Sequence, residues 1–482
     1  MKLFIGRKRE LNELKHLSNT QSPKLVVIKG RRRIGKSRLA EESAKGKTFL
    51  NFTGLAPTNA ITSQDQRDAF ARQFSQNFKL PPLTFMDWSD AFNHLSLHIQ
   101  DVPTTILFDE ISWMGSKDPT FVSKLKVWWD LHLQQFPKLT LIFCGSVSTW
   151  IEKNIINSTA FFGRISLQID LGPLSLPECG QFFKAIGFKG SPYEIFEILS
   201  ITGGIPWYLE QIDPTEMADA NIKRLCFSKE GILVGEFDRI FTDLFNGYGK
   251  THKEIIHSLG DGSKTQSELR EDIKYPKSGT FGMLLNDLIT CGFITKHYQW
   301  SLKTGRLNKQ SLYRLSDCYL RFYIKFIEPH RDKIEQGSYQ DLAISQLPGW
   351  ESMMGIQVEN ILLQNRFLLL KSLGVNPADV KNDNPYVQRK TTRHKGCQID
   401  YLIQTNSRNL FLSEFKFKRR SMGTEIIEAV QDKISRFSPP RGFGIAPVLF
   451  HLGDVSDRVY EKSYFYKIID IADLLESSGE KV

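Results

Sequence analysis

The sequence predicts an α/β protein: a parallel sheet around a phosphate-binding loop, with a second α/β unit over the C-terminal residues. Three observations carry that expectation. Short continuous apolar strands alternate with helical stretches over residues 1–174, the pattern of a parallel sheet covered on both faces. A glycine-bordered loop ending in Lys36-Ser37 joins the first of those strands to a helix. Two apolar strands near the C-terminus carry Asp400, Glu414 and Lys416.

The first strand is expected at Lys24–Lys29. After it, Gly30-Arg31-Arg32-Arg33-Ile34-Gly35-Lys36-Ser37 matches G-x-x-x-x-G-K-S in full, and Arg38 lies in the first turn of the helix that follows. Glycines let the backbone N–H groups curl around phosphate oxygens, and the helix N-terminus adds its positive end. Lys36 is placed to reach β/γ oxygens and Ser37 to ligate Mg²⁺. Residues 30–38 are therefore expected to border a nucleoside triphosphate. The three arginines have a second expected use, as contacts to a neighbouring domain or to DNA.

Further strands are expected at Lys47–Phe52, Thr104–Asp109, Leu139–Gly145 and Ile165–Leu171, with helices at Ser63–Phe78, Thr120–Gln135 and Val147–Ile155. The third strand ends in Asp109-Glu110 some seventy residues after the loop. Asp109 would hold Mg²⁺ through water, and Glu110 would polarise the attacking water. The fourth strand ends in Ser146, whose hydroxyl either orients that water, senses the γ-phosphate, or caps the helix after it. Arg164, just before the fifth strand, is either an arginine finger or a salt-bridging arginine.

At 482 residues several cores are required. Residues 175–245 turn helical and read as a lid. Over 246–318, helical patterns at Lys253–Leu259, Gln266–Asp272 and Thr280–Cys291 precede a hairpin-like piece, Phe293–Tyr298 and Leu312–Leu315. Three helices and a hairpin make a winged helix, which meets DNA in some proteins and other proteins in the rest. An aromatic helix and polar connector fill 319–349, and the last α/β unit covers 350–482.

Composition is that of a soluble globular protein, 41% hydrophobic and 24% charged, with no apolar run of membrane-spanning length. The N-terminus meets charge at once, so no export signal is expected, and six cysteines without paired spacing suit reduced thiols in the cytoplasm. Net charge is +10, and residues 381–420 hold ten Lys/Arg against three Asp/Glu. Such a surplus is either a nucleic-acid patch or a solvated basic face.

The C-terminal strands place Asp400 and Glu414 fourteen positions apart, and strand alternation puts Glu414 and Lys416 on one face. Two carboxylates can hold a hard divalent cation, and a nearby lysine can position or deprotonate water beside a phosphodiester.

Phe4-Ile5-Gly6-Arg7-Lys8-Arg9-Glu10-Leu11 resembles the F-x-G-R-x-x-E-L box that opens many AAA+ and STAND-class ATPases and borders their adenine pocket. Gly203-Gly204-Ile205-Pro206-Trp207-Tyr208-Leu209 resembles the G-G-x-P-x-Y-L segment of the archaeal-type ATPase family, and Tyr313 to Phe322 resembles its Y-R-L-S-D-x-x-L-R-F junction. The resemblance implies ATP as the nucleotide, with Gly6, Arg7 and Pro206 among its contacts, and nucleotide-dependent homo-oligomers. A sensor-2 arginine beside Gly203–Leu209 is missing, which suits a slow switch better than a motor.

Asp…Glu-x-Lys resembles the PD-(D/E)xK pattern of a restriction-endonuclease-like domain, with Ile399 where that pattern has proline. The resemblance implies that Glu359 is the acid of the fold's first helix and Gln431 the polar residue of the helix after the E-x-K strand. It also implies a second Mg²⁺ or Mn²⁺ at Asp400 and Glu414. Arg389-Lys390, Arg393, Lys395 and Lys418-Arg419-Arg420 supply positive charge for DNA. Two functions follow: an ATP-regulated DNA-binding protein that cuts DNA, or a non-nucleolytic ATP-driven switch holding DNA or a protein partner. A helicase or unfolding motor is disfavoured because no second motor core is present.

Overall fold

The computed structural model describes residues 4–17, 21–56, 60–146, 148–244, 249–277, 279–339, 343–390, 392 and 395–476. Five strands form the N-terminal sheet: β1 (Lys24–Lys29), β2 (Thr48–Thr53), β3 (Thr104–Asp109), β4 (Leu139–Gly145) and β5 (Ile165–Asp170). All four pairings are parallel, in the order β2-β3-β4-β1-β5. The unbroken apolar runs of β1 and β3 have this cause, because helices cover both faces. Along β1, Val26 and Ile28 enter one apolar cluster while Leu25 and Val27 enter the other.

The order has one consequence for chemistry. β4 lies between β1 and β3, so its C-terminal end sits between the loop after β1 and the acids that end β3. The second cluster is aromatic: Phe52, Phe70, Trp88, Phe92, Phe108 and Trp128 pack on that side of the sheet. Trp88 belongs to the helix Trp88–Ser96, whose buried Trp88, Ala91, Phe92 and Leu95 follow helical spacing. The expected helix at Thr120–Gln135 runs as Phe121–Trp128 and then a wide turn, Trp129–Leu133. That expected from Val147 begins at Ser148, and Val147 lies outside the described residues.

Helices Leu176–Ile186, Pro192–Thr202, Pro206–Leu209, Ala218–Cys226 and Glu236–Leu244 follow. Three more, Gly249–Ser258, Gln266–Asp272 and Thr280–Thr290, lead into an antiparallel hairpin of β6 (Ile294–Trp300) and β7 (Leu307–Leu315). The hairpin is longer than the apolar ends of its strands suggested, because β7 opens with four exposed residues.

The C-terminal unit begins with the helices Trp350–Gln364 and Arg366–Leu373. Its sheet orders β8 (Val380–Gln388), β9 (Cys397–Thr405), β10 (Asn409–Phe417), β11 (Gly444–Leu452) and β12 (Lys467–Asp470) consecutively. β8–β9 and β9–β10 are antiparallel, while β10–β11 and β11–β12 are parallel. The crossover from β10 to β11 carries the helix Glu425–Arg436, as a parallel connection requires. One apolar cluster reaches from Ile28 through Leu199, Tyr319 and Val358 to Phe450, so the successive units share a core. Among the described residues no helix is long and apolar enough to cross a membrane. All six cysteines are free and buried.

Candidate functional site

Two polar constellations stand out, one at the C-terminal edge of each large sheet. The first is built on the turn after β1. Gly30, Gly35 and Arg33 have φ of 147°, 91° and 70°, and a Cβ on Gly30 would lie 2.4 Å from the Leu171 carbonyl oxygen. The chain can pass this close to the end of β5 only with glycine there. The turn delivers Lys36, which is buried and donates to the Gly30 carbonyl at 3.0 Å, the Arg31 carbonyl at 3.1 Å and Ser146 Oγ at 3.1 Å. Its ammonium is hydrogen-bonded by neutral acceptors alone, with no carboxylate bonded to it where phosphate oxygens would lie.

Ser37 Oγ donates to Asp109 Oδ2 at 2.6 Å. Burial pushes the Asp109 carboxyl above its ordinary range, and the Ser37 hydrogen bond opposes it. Glu110, at φ 49°, is turned back across the end of β4. It accepts from Ser146 N at 2.9 Å and from Ser146 Oγ at 2.5 Å. Ser146 therefore connects Lys36 to Glu110 and uses its hydroxyl on the site rather than on the helix after it. A cleft of about 480 Å³ opens over this group, with Phe4, Phe182 and Trp207 on its apolar side and Arg32, Lys36 and Glu110 on its polar side. Ser37 and Asp109 are the pair that could hold Mg²⁺, since the ion takes one or two carboxylates and completes its shell with water and phosphate oxygens.

The second constellation lies where β9 and β10 run together. Asp400 Oδ2 accepts from Phe415 N at 3.0 Å. Lys416 Nζ donates to Glu414 Oε1 at 2.6 Å. Lys433, on the helix Glu425–Arg436, hydrogen-bonds Glu414 Oε2 and stands 3.7 Å from Asp400 Oδ1. Burial first, and the Glu414 carboxylate second, push Asp400 up to about 7. Burial alone would lower the Lys433 ammonium, but Asp400 and Glu414 outweigh it and the net shift is upward. Among the described residues no group of three His, Cys, Asp or Glu side chains is arranged for a metal. The two carboxylates suit a cation that keeps most of its water.

Residues 4–212 match the family model of an ATPase domain predominantly from Archaea. The chain is also similar to an uncharacterized protein of Methanocaldococcus jannaschii, 25% identical over 425 residues that span 86% of this chain and 88% of that protein. Among solved structures it is similar to the Walker-type ATPase of Pyrococcus abyssi, at 16% identity and a TM-score of 0.46, over 67% of this chain and 96% of that one. It is similar too to the ORC2 protein of Aeropyrum pernix, at 14% identity and a TM-score of 0.42, over 70% and 97% of the two chains.

In the ATPase domain, Arg32, Arg33, Ile34, Gly35, Lys36, Ser37, Arg38 and Pro206 line the cleft. Arg7 lines it as well, but its guanidinium donates to the Ile34 and Gly172 carbonyls, so it braces the loop. Gly6 fits tightly against the Glu178 carboxylate, which also accepts from Arg7 N at 2.6 Å. Arg31 departs from the expected nucleotide contact. Its side chain leaves the cleft and forms a buried ion pair with Asp317 at 2.9 Å, and it donates to Tyr208 Oη at 3.2 Å. Arg33 stacks on Trp207, 3.3 Å from the ring centre, and donates to Glu236 Oε2 at 2.7 Å. Tyr208 Oη in turn donates to Glu236 Oε1. Two arginines of the phosphate loop thus grip the helices after Gly204 and the junction after β7, consistent with their second expected use.

Arg164 is a correction for the chain's own cleft. It precedes β5, which runs parallel to β1, so it lies at the opposite end of the strands from the loop. Six strand residues separate the two ends by roughly 20 Å. There Arg164 holds Asp130 through two hydrogen bonds, at 2.7 and 2.9 Å.

Gln431 is the second correction. The buried face of its helix is Ile426, Ile427 and Val430, and Lys433 continues that face while Gln431 is exposed. Lys433 follows Ile426 and Val430 at helical spacing, which turns it toward the carboxylates. Glu359 is near enough to help raise Asp400, yet its carboxylate takes Arg314 Nη1 of β7 at 2.6 Å. Of the basic run, Arg389, Lys390, Lys395, Lys418 and Arg420 are exposed, and Arg393 lies outside the described residues. Arg419 is engaged within the fold, bonded to Glu197 at 2.6 Å beside the Tyr193 ring.

Proposed function

We propose that this chain is an ATP-hydrolysing switch whose nucleotide state governs a DNA-handling C-terminal domain. The observation that carries the reading is the convergence of Lys36, Ser37, Asp109, Glu110 and Ser146 at the ends of three adjacent strands. In this reading Lys36 turns from the Gly30 and Arg31 carbonyls to the phosphate oxygens. Ser37 and Asp109 would hold Mg²⁺, which when bound would supply positive charge against the phosphates. Glu110 exchanges Ser146 for the attacking water and polarises it, and the Ser146 hydroxyl keeps Glu110 in register with Lys36. Trp207, Phe182 and Phe4 cover the base side of the cleft.

Residues 246–318 are proposed as a winged helix and 350–482 as a nuclease-like domain, with 175–245 a lid and 319–349 a linker. Exposed Arg389, Lys390, Lys395, Lys418 and Arg420 support a polyanionic partner. Nucleotide-dependent self-association, with Arg164 offered to a neighbour's cleft, and a cytoplasmic setting complete the proposal.

Steady-state phosphate release from ATP tests it. Wild-type turnover requires Mg²⁺, and Glu110→Gln lowers it about 100-fold while ATP affinity is kept. Absence of Mg²⁺-dependent turnover in the wild type would overturn the reading, and unchanged turnover in Glu110→Gln would remove Glu110 from its role.

A second reading, a switch that does not cut DNA, is favoured by one observation: each oxygen of Asp400 and Glu414 already has a partner inside the protein. Incubating single-stranded, duplex and branched DNA with Mg²⁺ or Mn²⁺, with and without ATP, separates the two. Cleavage lost in Glu414→Gln selects the nuclease; intact DNA throughout selects the switch.

A further inference from the structure

The four oxygens of the C-terminal acidic pair are not equivalent. Glu414 Oε1 belongs to Lys416 and Asp400 Oδ2 to the Phe415 amide. The remaining two, Glu414 Oε2 and Asp400 Oδ1, share one ammonium, that of Lys433. These are the oxygens that a divalent ion bridging the two carboxylates would need. We propose that the Lys433 ammonium occupies the place a divalent cation takes between Asp400 and Glu414, so that ion and ammonium exclude one another and Lys433 sets the cation threshold of the site. The proposal rests on the reading of this cluster as metal-dependent.

The two lysines differ in what they can do. Lys416 is carried on β10, whose backbone is paired on both sides, and it bonds the outer oxygen of Glu414. Lys433 is as exposed as Lys416, 24% against 28%, but it comes from a helix and is the lysine that also faces Asp400. It borders a cleft of about 680 Å³ that also receives Gln398, Asp400 and Arg436. A flexible four-carbon stem lets its ammonium swing into that cleft while the backbone stays in place. Glu414 cannot retreat, being 1% exposed. A buried carboxylate pair needs a cation, and the chain supplies one of its own until a stronger one arrives. The displaced ammonium then faces the cleft, where a phosphodiester oxygen is its replacement partner. Lys433 is a positioning residue in this account, acting through the carboxylates.

The test is Mn²⁺ binding to the nucleotide-free full chain, followed by the electron paramagnetic resonance signal of free Mn²⁺. Glu414→Gln identifies the sites that belong to this cluster. Lys433→Met is expected to bind that Glu414-dependent Mn²⁺ about tenfold more tightly than wild type, because a competing unit charge is gone. Lys433→Arg, which keeps the charge, stays near wild type. Mn²⁺ should raise the melting temperature of Lys433→Met more than that of wild type, a response that a purely structural lysine would not give. If Lys433→Met fails to fold, Lys433→Gln, which keeps a neutral donor on the same helix, should move affinity the same way. Equal or weaker Glu414-dependent affinity in the Met and Gln variants would overturn the inference while leaving the metal reading intact. Absence of Glu414-dependent Mn²⁺ binding in wild type and variants alike would overturn both.

Discussion

The phosphate-loop cleft and the C-terminal acidic cluster use the same residue types in opposite ways. Each has lysine beside carboxylates at the edge of a sheet. In the cleft, Lys36 is hydrogen-bonded by two carbonyls and a hydroxyl, and Asp109 by the Ser37 hydroxyl, so the two charges attract without bonding one another directly. In the cluster, Lys416 and Lys433 are set directly against Glu414. The first site is organised around a ligand's charges and the second around its own. A lysine near carboxylates therefore says little until its partners are known. Neutral partners leave the charge for a ligand, whereas charged partners make the ligand compete.

The largest expected effect breaks the comparison at Lys36. Lys36→Ala removes a charge that no carboxylate bonds directly, and ATP affinity should fall about 100-fold in a fluorescent-nucleotide displacement assay. Removing the lysine of the other site, Lys433, should instead strengthen its ligand. If both substitutions weaken binding, the distinction is wrong.

Next in size is the ion pair behind the loop. Arg31 and Asp317 are 8% and 3% exposed, and burial pushes the Asp317 carboxyl upward while Arg31 opposes it. Arg31→Met strands that carboxylate and should cost about 3 kcal/mol in urea unfolding, part of it recovered in Arg31→Met/Asp317→Leu, which also loses the Asp317 cap on Leu320 N. No recovery in the double variant would mean that the pair is not the source of the loss.

The smallest effect is expected at Arg164. Its pair with Asp130 is partly solvated, so Arg164→Ala should leave the urea-unfolding midpoint close to that of the wild type. At protein concentrations where the chain is monomeric, ATP turnover should be unchanged, since Arg164 lies at the far end of β5. Lost turnover in dilute monomer would contradict its placement.

Local chemistry was the legible part of the sequence. The turn from Gly30 to Ser37, the acids ending β3 and the five parallel strands follow from contiguous residues whose pattern admits one structure. The mixed C-terminal sheet was legible in part, because Asp400, Glu414 and Lys416 sit on two neighbouring strands. Contacts set by topology were not legible. The placement of β4 between β1 and β3, which gives Ser146 to both Lys36 and Glu110, is a property of strand order. Arg31 and Arg33 sit inside the loop motif, yet their partners lie 286 and 203 residues onward, at Asp317 and Glu236. Gln431 illustrates the opposite error, a residue chosen by motif position on the exposed side of a helix whose inward side holds Lys433.

In the proposed switch, nucleotide at the loop is felt by the rest of the chain through Arg31 and Arg33. DNA affinity of the full chain in Mg²⁺·ATP and in Mg²⁺·ADP, at one fixed salt concentration, tests it most directly. The expected result is a difference of about fivefold or more between the two nucleotide states in wild type, which disappears in Arg31→Met/Asp317→Leu although that variant still binds both nucleotides. Equal DNA affinity in both states of the wild type would contradict the account.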